Sequence, residues 1–279
     1  MGGQLTRTAG ATGFHGRGIS RYVEDAVDAQ AKTLESLIHY IDPADMNGED
    51  ALSYCRATGA RIAHPVGAPM TLGTVSGRWN GRTVMKFDGT AARGVEIEAQ
   101  RANPTFAVDS FTYVAAIDIA ATLRSDTDGP GAQVFGMYLP GTGTNASPFL
   151  LCPADGTYGL SAGSKLGSGG VNLALASTPA ADTEFIVAVS YDASDYTIKM
   201  YIDDTASAVA QDTGSAGTNA SADDRAFMQT GFRLGSTDYT WNGNIGKNLW
   251  IGEAMHATSG KLAELDDLMA AMRSYYAIS

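Results

Sequence analysis

The sequence predicts an all-β, antiparallel sandwich or barrel with one helix near each end. From Leu37 to about Ala254, short runs rich in β-branched and aromatic residues alternate with Gly-, Asn-, Asp- and Pro-rich separators. No helical periodicity interrupts them, and many short strands without interleaved helices close into a sandwich or barrel. Helical spacing is confined to two flanking stretches.

Residues 1–18 are mostly Gly, Thr and Ala with scattered Arg and read as a flexible N-terminal arm. Residues 19–36 contain no Gly or Pro. Ile19, Val23, Ala26, Val27, Gln30 and Leu34 fall on one side of a helix, with Glu24, Asp25, Asp28, Lys32 and Glu35 mostly on the other. That apolar stripe is short and must dock, either on its own domain or on copies of itself or a larger assembly. The strand runs follow: LIHYI, TVMKFD, GVEIE, SFTYVAAIDI, QVFGMY, PFLLC, TYGLSA, EFIVAVSYD, YTIKMYID and NLWIGEA. Between them lie SDTDGPG, PGTGTN, GSKLGSGG and DTGSAGTNASADD, which are turn and loop chemistry. EFIVAVSYD and YTIKMYID form a hairpin around Ala193–Asp195, with Phe185, Val187, Val189, Ile198, Met200 and Ile202 facing one core. A helix over 259–276 closes the chain, capped by Ser259, with Leu262, Leu265, Leu268, Met269 and Met272 on its apolar face.

The 279 residues, 44% hydrophobic, suffice for one large β domain or two ordinary ones. A net charge of −11 argues against nucleic acid and anionic membranes as partners. No apolar run is long enough to insert in a membrane, and MGGQLTRTAGATGFHGRG has no apolar core, so no signal peptide is read. Cys55 and Cys152 lie in no CxxC pair and read as two buried thiols, with one bridge between them as the alternative.

The stretch SYDASDYTIKMYIDD, Ser190 to Asp204, resembles the laminin-G-like, concanavalin A-like lectin jelly rolls, in which a strand ending in Tyr-Asp leads through a short turn to a strand of the form "v.lYvDG". FRLGSTDYTWNGNIGKNLWIGEAMHATSGKLAELDDLMAAM is similar to the family's closing strand, turn and helix, and LIHYIDPAD and WNGRTVMKFDG to its opening strands. The resemblance covers residues 37–276 and implies an antiparallel concanavalin A-like jelly-roll sandwich with an N-terminal and a C-terminal helix. Asp204 stands where the family has Gly, so that turn is built differently.

Catalytic patterns are weak. The strand motif E-x-D-x-x-E of jelly-roll glucanases is approached only by Glu264-Leu265-Asp266, on the predicted helix and with Met269 in the third place. There is no G-x-S-x-G, and His15, His39, His64 and His256 show no H-x-x-x-H spacing. His39 sits inside a strand run and reads as a packed residue. No catalytic residue is assigned. No cofactor is expected beyond calcium, which the family often carries in loops; the candidate ligands are Asp126, Asp128, Asp203 and Asp204. An EF-hand is excluded, because DPADMNG is one residue out of register and Tyr54 occupies the place of the bidentate Glu. Sugars stack on exposed aromatic rings beside amides, which makes Trp79, Asn80, Tyr239, Trp241 and Asn242 the candidate glycan platform; the competing reading makes the two tryptophans hairpin anchors.

A lectin-like sandwich without an export segment fits assembly in a host cytoplasm onto a particle released by lysis. The expectation is a non-enzymatic virion structural protein, a bacteriophage fibre, tail-tip or head-decoration component. Residues 1–36 would join it to itself, for instance as a trimer, and to other virion proteins, while 37–279 would face a cell-surface glycan. The alternatives are a free carbohydrate-binding or adhesin module of a bacterium and a divergent glycan hydrolase.

Overall fold

The computed structural model describes residues 24–46, 53–54, 56–57, 61–63, 71–89, 94–97, 110–121, 132–138, 145–152, 161–163, 172–174, 179–214, 227–231 and 241–279. In chain order the strands are β1 (Leu37–Ile41), β2 (Ser53–Tyr54), β3 (Arg61–Ala63), β4 (Thr71–Gly73), β5 (Val84–Asp88), β6 (Val95–Ile97), β7 (Phe111–Ile117) and β8 (Ala132–Tyr138). They continue with β9 (Asn145–Cys152), β10 (Ser161–Gly163), β11 (Asn172–Ala174), β12 (Phe185–Asp192), β13 (Thr197–Ile202), β14 (Ala210–Thr213), β15 (Phe227–Thr230) and β16 (Asn242–Ile251). Helices α1 (Ala26–Ala31) and α2 (Ser259–Tyr276) flank them.

Two antiparallel sheets result. One has the order β14-β13-β12-β7-β16-β5-β4, with β1 also paired to β16; the other runs β11-β10-β9-β8-β15-β6-β3-β2. The inter-sheet core takes alternate residues of the first sheet, Phe111, Tyr113, Ala115 and Ile117 of β7 with Phe185, Val187, Val189 and Tyr191 of β12, against Val134 and Phe135 of the second. Phe111 stacks on Trp250 at 4.7 Å and Tyr113 on Phe135 at 4.2 Å, pairs worth about 0.5–1.5 kcal/mol each beyond their burial. The intervening residues Val114, Ala116, Ile186 and Ala188 point the other way, into a second cluster under α1 and α2. The first sheet is therefore buried on both faces at its centre, which is why FTYVAAI reads as an unbroken apolar run rather than an alternating one.

The hairpin forms in the expected register, with Val189 opposite Met200 and Asp192 opposite Thr197. Helix α2 spans the expected 259–276, but its cap is Thr258, whose side chain accepts the Lys261 amide, not Ser259. The leading helix differs more. It is six residues, Ala26–Ala31, rather than 19–36, and Asp25 caps it. Its buried side holds Val27, Ala31 and, just beyond, Leu34, packed in the cluster with Leu265, Leu268 and Met272 of α2. Asp28, read as solvent-facing, is buried on that side, while Ala26 is exposed. Val27 and Leu34, of the described part of the apolar stripe, thus pack on their own domain. Ile19, Val23 and the 1–18 arm lie outside the described residues, as does Cys55. Among the described residues no helix is long and apolar enough to cross a membrane.

Candidate functional site

Three sets of polar side chains stand out, and two of them hold the frame. The first surrounds Lys247. A register shift in β16 between Ile245 and Asn248 marks a bulge, the device by which a strand re-aims a side chain. There the fully buried Lys247 ammonium donates to Asp25 Oδ2 at 2.5 Å and to the Tyr40 hydroxyl at 2.9 Å, and pairs with Asp42 Oδ2 at 3.0 Å and Asp28 Oδ1 at 3.6 Å. Arg56 adds ion pairs to Asp28, to Asp42 at 2.8 Å and to Asp45 at 2.7 Å. Burial pushes the Asp28 carboxyl up, but the Asp25 amide, Lys247, Tyr40 and Arg56 together hold it below the usual carboxylate range. The oxygens of Asp25, Asp28 and Asp42 lie within 4.8 Å of one another, close enough to chelate a metal, yet the Lys247 ammonium sits among them. This cluster ties α1 to the sheet.

The second set centres on the buried Asp118. Its Oδ2 accepts from Arg78 at 2.6 Å, Trp79 Nε1 at 3.1 Å and Asn244 Nδ2 at 2.7 Å, and its Oδ1 accepts the Asn244 amide at 2.6 Å. A side chain at Gly243, where φ is +143°, would overlap the Asp118 carbonyl, so only glycine fits. This network fixes the fate of the expected glycan platform. Trp79 is 1% exposed, edge-on to Tyr276 at 5.0 Å, and Trp241 is 0% exposed. Neither ring offers a face to solvent, so both are anchors rather than platforms. Asn80 is exposed and donates to the Tyr275 carbonyl, Asn242 opens β16, and Tyr239 lies outside the described residues. Of the calcium candidates, Asp126 and Asp128 also lie outside them. Asp203, at φ +63°, accepts the Ile186 amide at 2.8 Å, and Asp204 accepts the Ala206 amide at 3.0 Å.

The third set lines a groove of about 560 Å³ at the β14 edge of the helix-backed sheet, bounded by Asp192, Asp195, Thr197, Lys199, Gln211, Asp212, Thr213 and His256. Register explains its floor. Ser190 lies opposite both Thr112 and Lys199, and Lys199 opposite Gln211, while the next row holds Asp192, Thr197 and Thr213. Directly opposed residues share a face, so these rows continue the face that α2 covers further along the sheet. Thr197 and Thr213 hydroxyls meet at 3.3 Å. Among the described residues no hydrogen bond or ion pair engages the Lys199 ammonium or the Gln211 amide.

Hydrogen bonds beneath the groove fix the state of His256. Thr112 Oγ1 donates to the Glu253 carbonyl at 2.8 Å, which can only accept, and itself accepts the Met255 amide at 2.9 Å. In the 2.8 Å contact between Thr112 and Ser190, the hydrogen must therefore come from Ser190. Ser190 Oγ is then left to accept from His256 Nδ1 at 2.8 Å, so Nδ1 carries the hydrogen and Nε2 does not. Nε2 is buried without a partner, and protonating it would bury an unmatched donor. Burial, and then the Lys199 charge, lower the His256 pKa, with Asp192 and Asp195 opposing. His39, fully buried in β1, is held well below the usual histidine range by burial alone.

Both histidines bind protons less readily folded than unfolded. Their contribution to stability is whole above about pH 6.5 and is lost as the pH falls from there toward their folded values. For His39 the expected slope in that window approaches ~1.4 kcal/mol per pH unit, with the partly exposed His256 adding less. Urea midpoints at pH 7.5 and 5.0 measure this; an unchanged midpoint for wild type, or an equal drop in His39→Gln, would contradict it.

No protein-family model matches the chain, and no curated protein matches it in sequence. Solved structures do match in shape. Domain 4 of an extracellular arabinanase from Geobacillus stearothermophilus, in complex with arabinotriose, aligns over 83% of this chain and 98% of its own at a TM-score of 0.54 and 11% identity. The chain folds as a lectin-like jelly-roll sandwich. Trypanosoma rangeli sialidase in complex with sialic acid aligns over 86% of this chain at a TM-score of 0.54 and 13% identity. The sandwich spans only 33% of that sialidase's length.

Proposed function

We propose that the chain is a non-catalytic carbohydrate-binding module that takes a saccharide in the groove over β12, β13 and β14. The observation that carries this is the groove itself: an ammonium, an amide, two carboxylates and two hydroxyls line one face of the sheet, and the Lys199 and Gln211 heads are unengaged among the described residues. Saccharides present hydroxyl donors and acceptors that such groups match. The match in shape and length to an arabinanase domain captured with arabinotriose supports the reading. A hydrolytic role for the Ser190–His256 pair is disfavoured, because Ser190 is 0% exposed and its hydroxyl is committed to Thr112 and His256. The virion role expected from residues 1–36 finds no support in the similar structures, and the described part of that segment packs on its own domain.

A glycan panel titrated against the full chain tests the proposal. Lys199→Ala with Gln211→Ala is expected to weaken binding of a neutral saccharide hit by about tenfold or more while leaving the melting temperature nearly unchanged. Unaltered affinity in this double variant would remove the groove as the binding site.

A further inference from the structure

The groove has a sign as well as a hydrogen-bonding pattern. Asp192 and Asp195 face one cation, Lys199, whereas Asp212 lies opposite the core residue Ile198 and belongs to the other face, and His256, whose Nε2 is buried without a partner, is neutral. One negative charge is therefore in surplus at the site, within a chain whose net charge is −11. Each carboxylate is also fixed in place. Asp192 Oδ1 accepts the Ser194 amide at 2.8 Å and Asp195 Oδ1 the Thr197 amide at 2.9 Å. The second oxygen of each has no hydrogen bond among the described residues.

We propose that this groove selects saccharides bearing a free amino group over their neutral counterparts and rejects acidic ones; the proposal rests on the carbohydrate-binding reading above. A protonated sugar amine carries three N–H donors and one positive charge, the complement of carboxylate oxygens that have lone pairs left over. An acidic sugar would bring a third carboxylate to a site where Lys199, in the middle row of the floor, is the single cation among the lining residues. Asp195 is exposed, so the discrimination is partly screened by salt. The neutral His256 matters here, because a charged imidazole beside Lys199 would cancel the surplus.

The test is a titration of the full chain at pH 6 with the glucosamine trimer, the N-acetylglucosamine trimer and trigalacturonate, following the Ser194, Thr197 and Thr213 amides by NMR. The first two ligands differ only in N-acetylation, which replaces each charged amine by a neutral acetamide, and the salt dependence separates the charge from the added acetyl group. The expected result is about tenfold tighter binding of the glucosamine trimer at low salt, shrinking toward equality near 0.5 M salt, and lost in Asp192→Asn with Asp195→Asn. Equal affinities for the two trimers at low salt, or a preference for trigalacturonate, would overturn the charge selection while leaving a carbohydrate site. Trilysine shifting the same amides as strongly as the glucosamine trimer would overturn it in favour of a basic peptide. If no saccharide moves these amides, the carbohydrate reading falls and the selection falls with it.

Discussion

Lys247→Met is expected to destabilise the protein by about 3–5 kcal/mol, the range for removing one partner of a buried ion pair. Asp28 and Asp42 would keep Arg56 as a counter-charge, Asp25 would lose its ion pair, and the Tyr40 hydroxyl would lose the donor at 2.9 Å. Burying a carboxylate without compensation costs more than the pair gains by forming, so the loss exceeds the net worth of the interaction. Combining Lys247→Met with Asp25→Asn should return part of it. Urea denaturation followed by fluorescence measures both; a loss under about 1 kcal/mol for the single variant would show that water, not Lys247, compensates these carboxylates. α1 should also leave the sheet first, visible as early hydrogen exchange at Ala29 and Lys32, whose amides close the helix on Asp25 and Asp28.

The second large effect concerns Trp79. Trp79→Ala is expected to cost about 3–5 kcal/mol, because it empties a fully packed position. It also removes the indole donor to Asp118, and Tyr276 loses one of its two edge-on ring contacts among the described residues. Glycan affinity of the remaining folded protein, measured at low temperature, should stay within about twofold of wild type. Asn80→Ala, one residue on, removes an exposed hydrogen bond to the Tyr275 carbonyl and should cost less than about 1 kcal/mol. A Trp79→Ala protein that is stable but has lost its glycan would restore the platform reading of this residue.

What the sequence displayed and what it hid follow from separation along the chain. The hairpin 185–202 was legible because its alternation and turn lie within a few residues. The split of β7 between two cores was not, since nothing in FTYVAAI says that a helix covers its second face. The Lys247 cluster joins partners more than 200 residues apart, and a lysine in NGNIGKNLWI reads as solvent-facing. The groove is hidden for a different reason. Asp192, Asp195 and Lys199 lie in a hairpin that its apolar face makes legible, but the strand beside them, AQDT, has no apolar residue except Ala and reads as loop. The signal was present in Ser190, Asp192, Thr197 and Lys199, polar positions on one face of a strand pair whose other face is apolar. The tryptophans failed in the opposite sense. A Trp-Asn pair at a turn suggests display, whereas Arg78 and Glu184 hold the Trp79 turn inward.

The position of β16 carries a consequence for how the protein comes into being. It separates β14-β13-β12-β7 from β5-β4 and, among the described residues, is the strand that β1 pairs with. A ribosome completes every other strand of that sheet before it reaches residue 242, and the growing chain then holds two half-sheets with open, apolar edges. Closure waits for residues 242–276, β16 followed by the helix that roofs it. Such late, distant pairing makes for slow folding and leaves those edges open to other chains until β16 arrives.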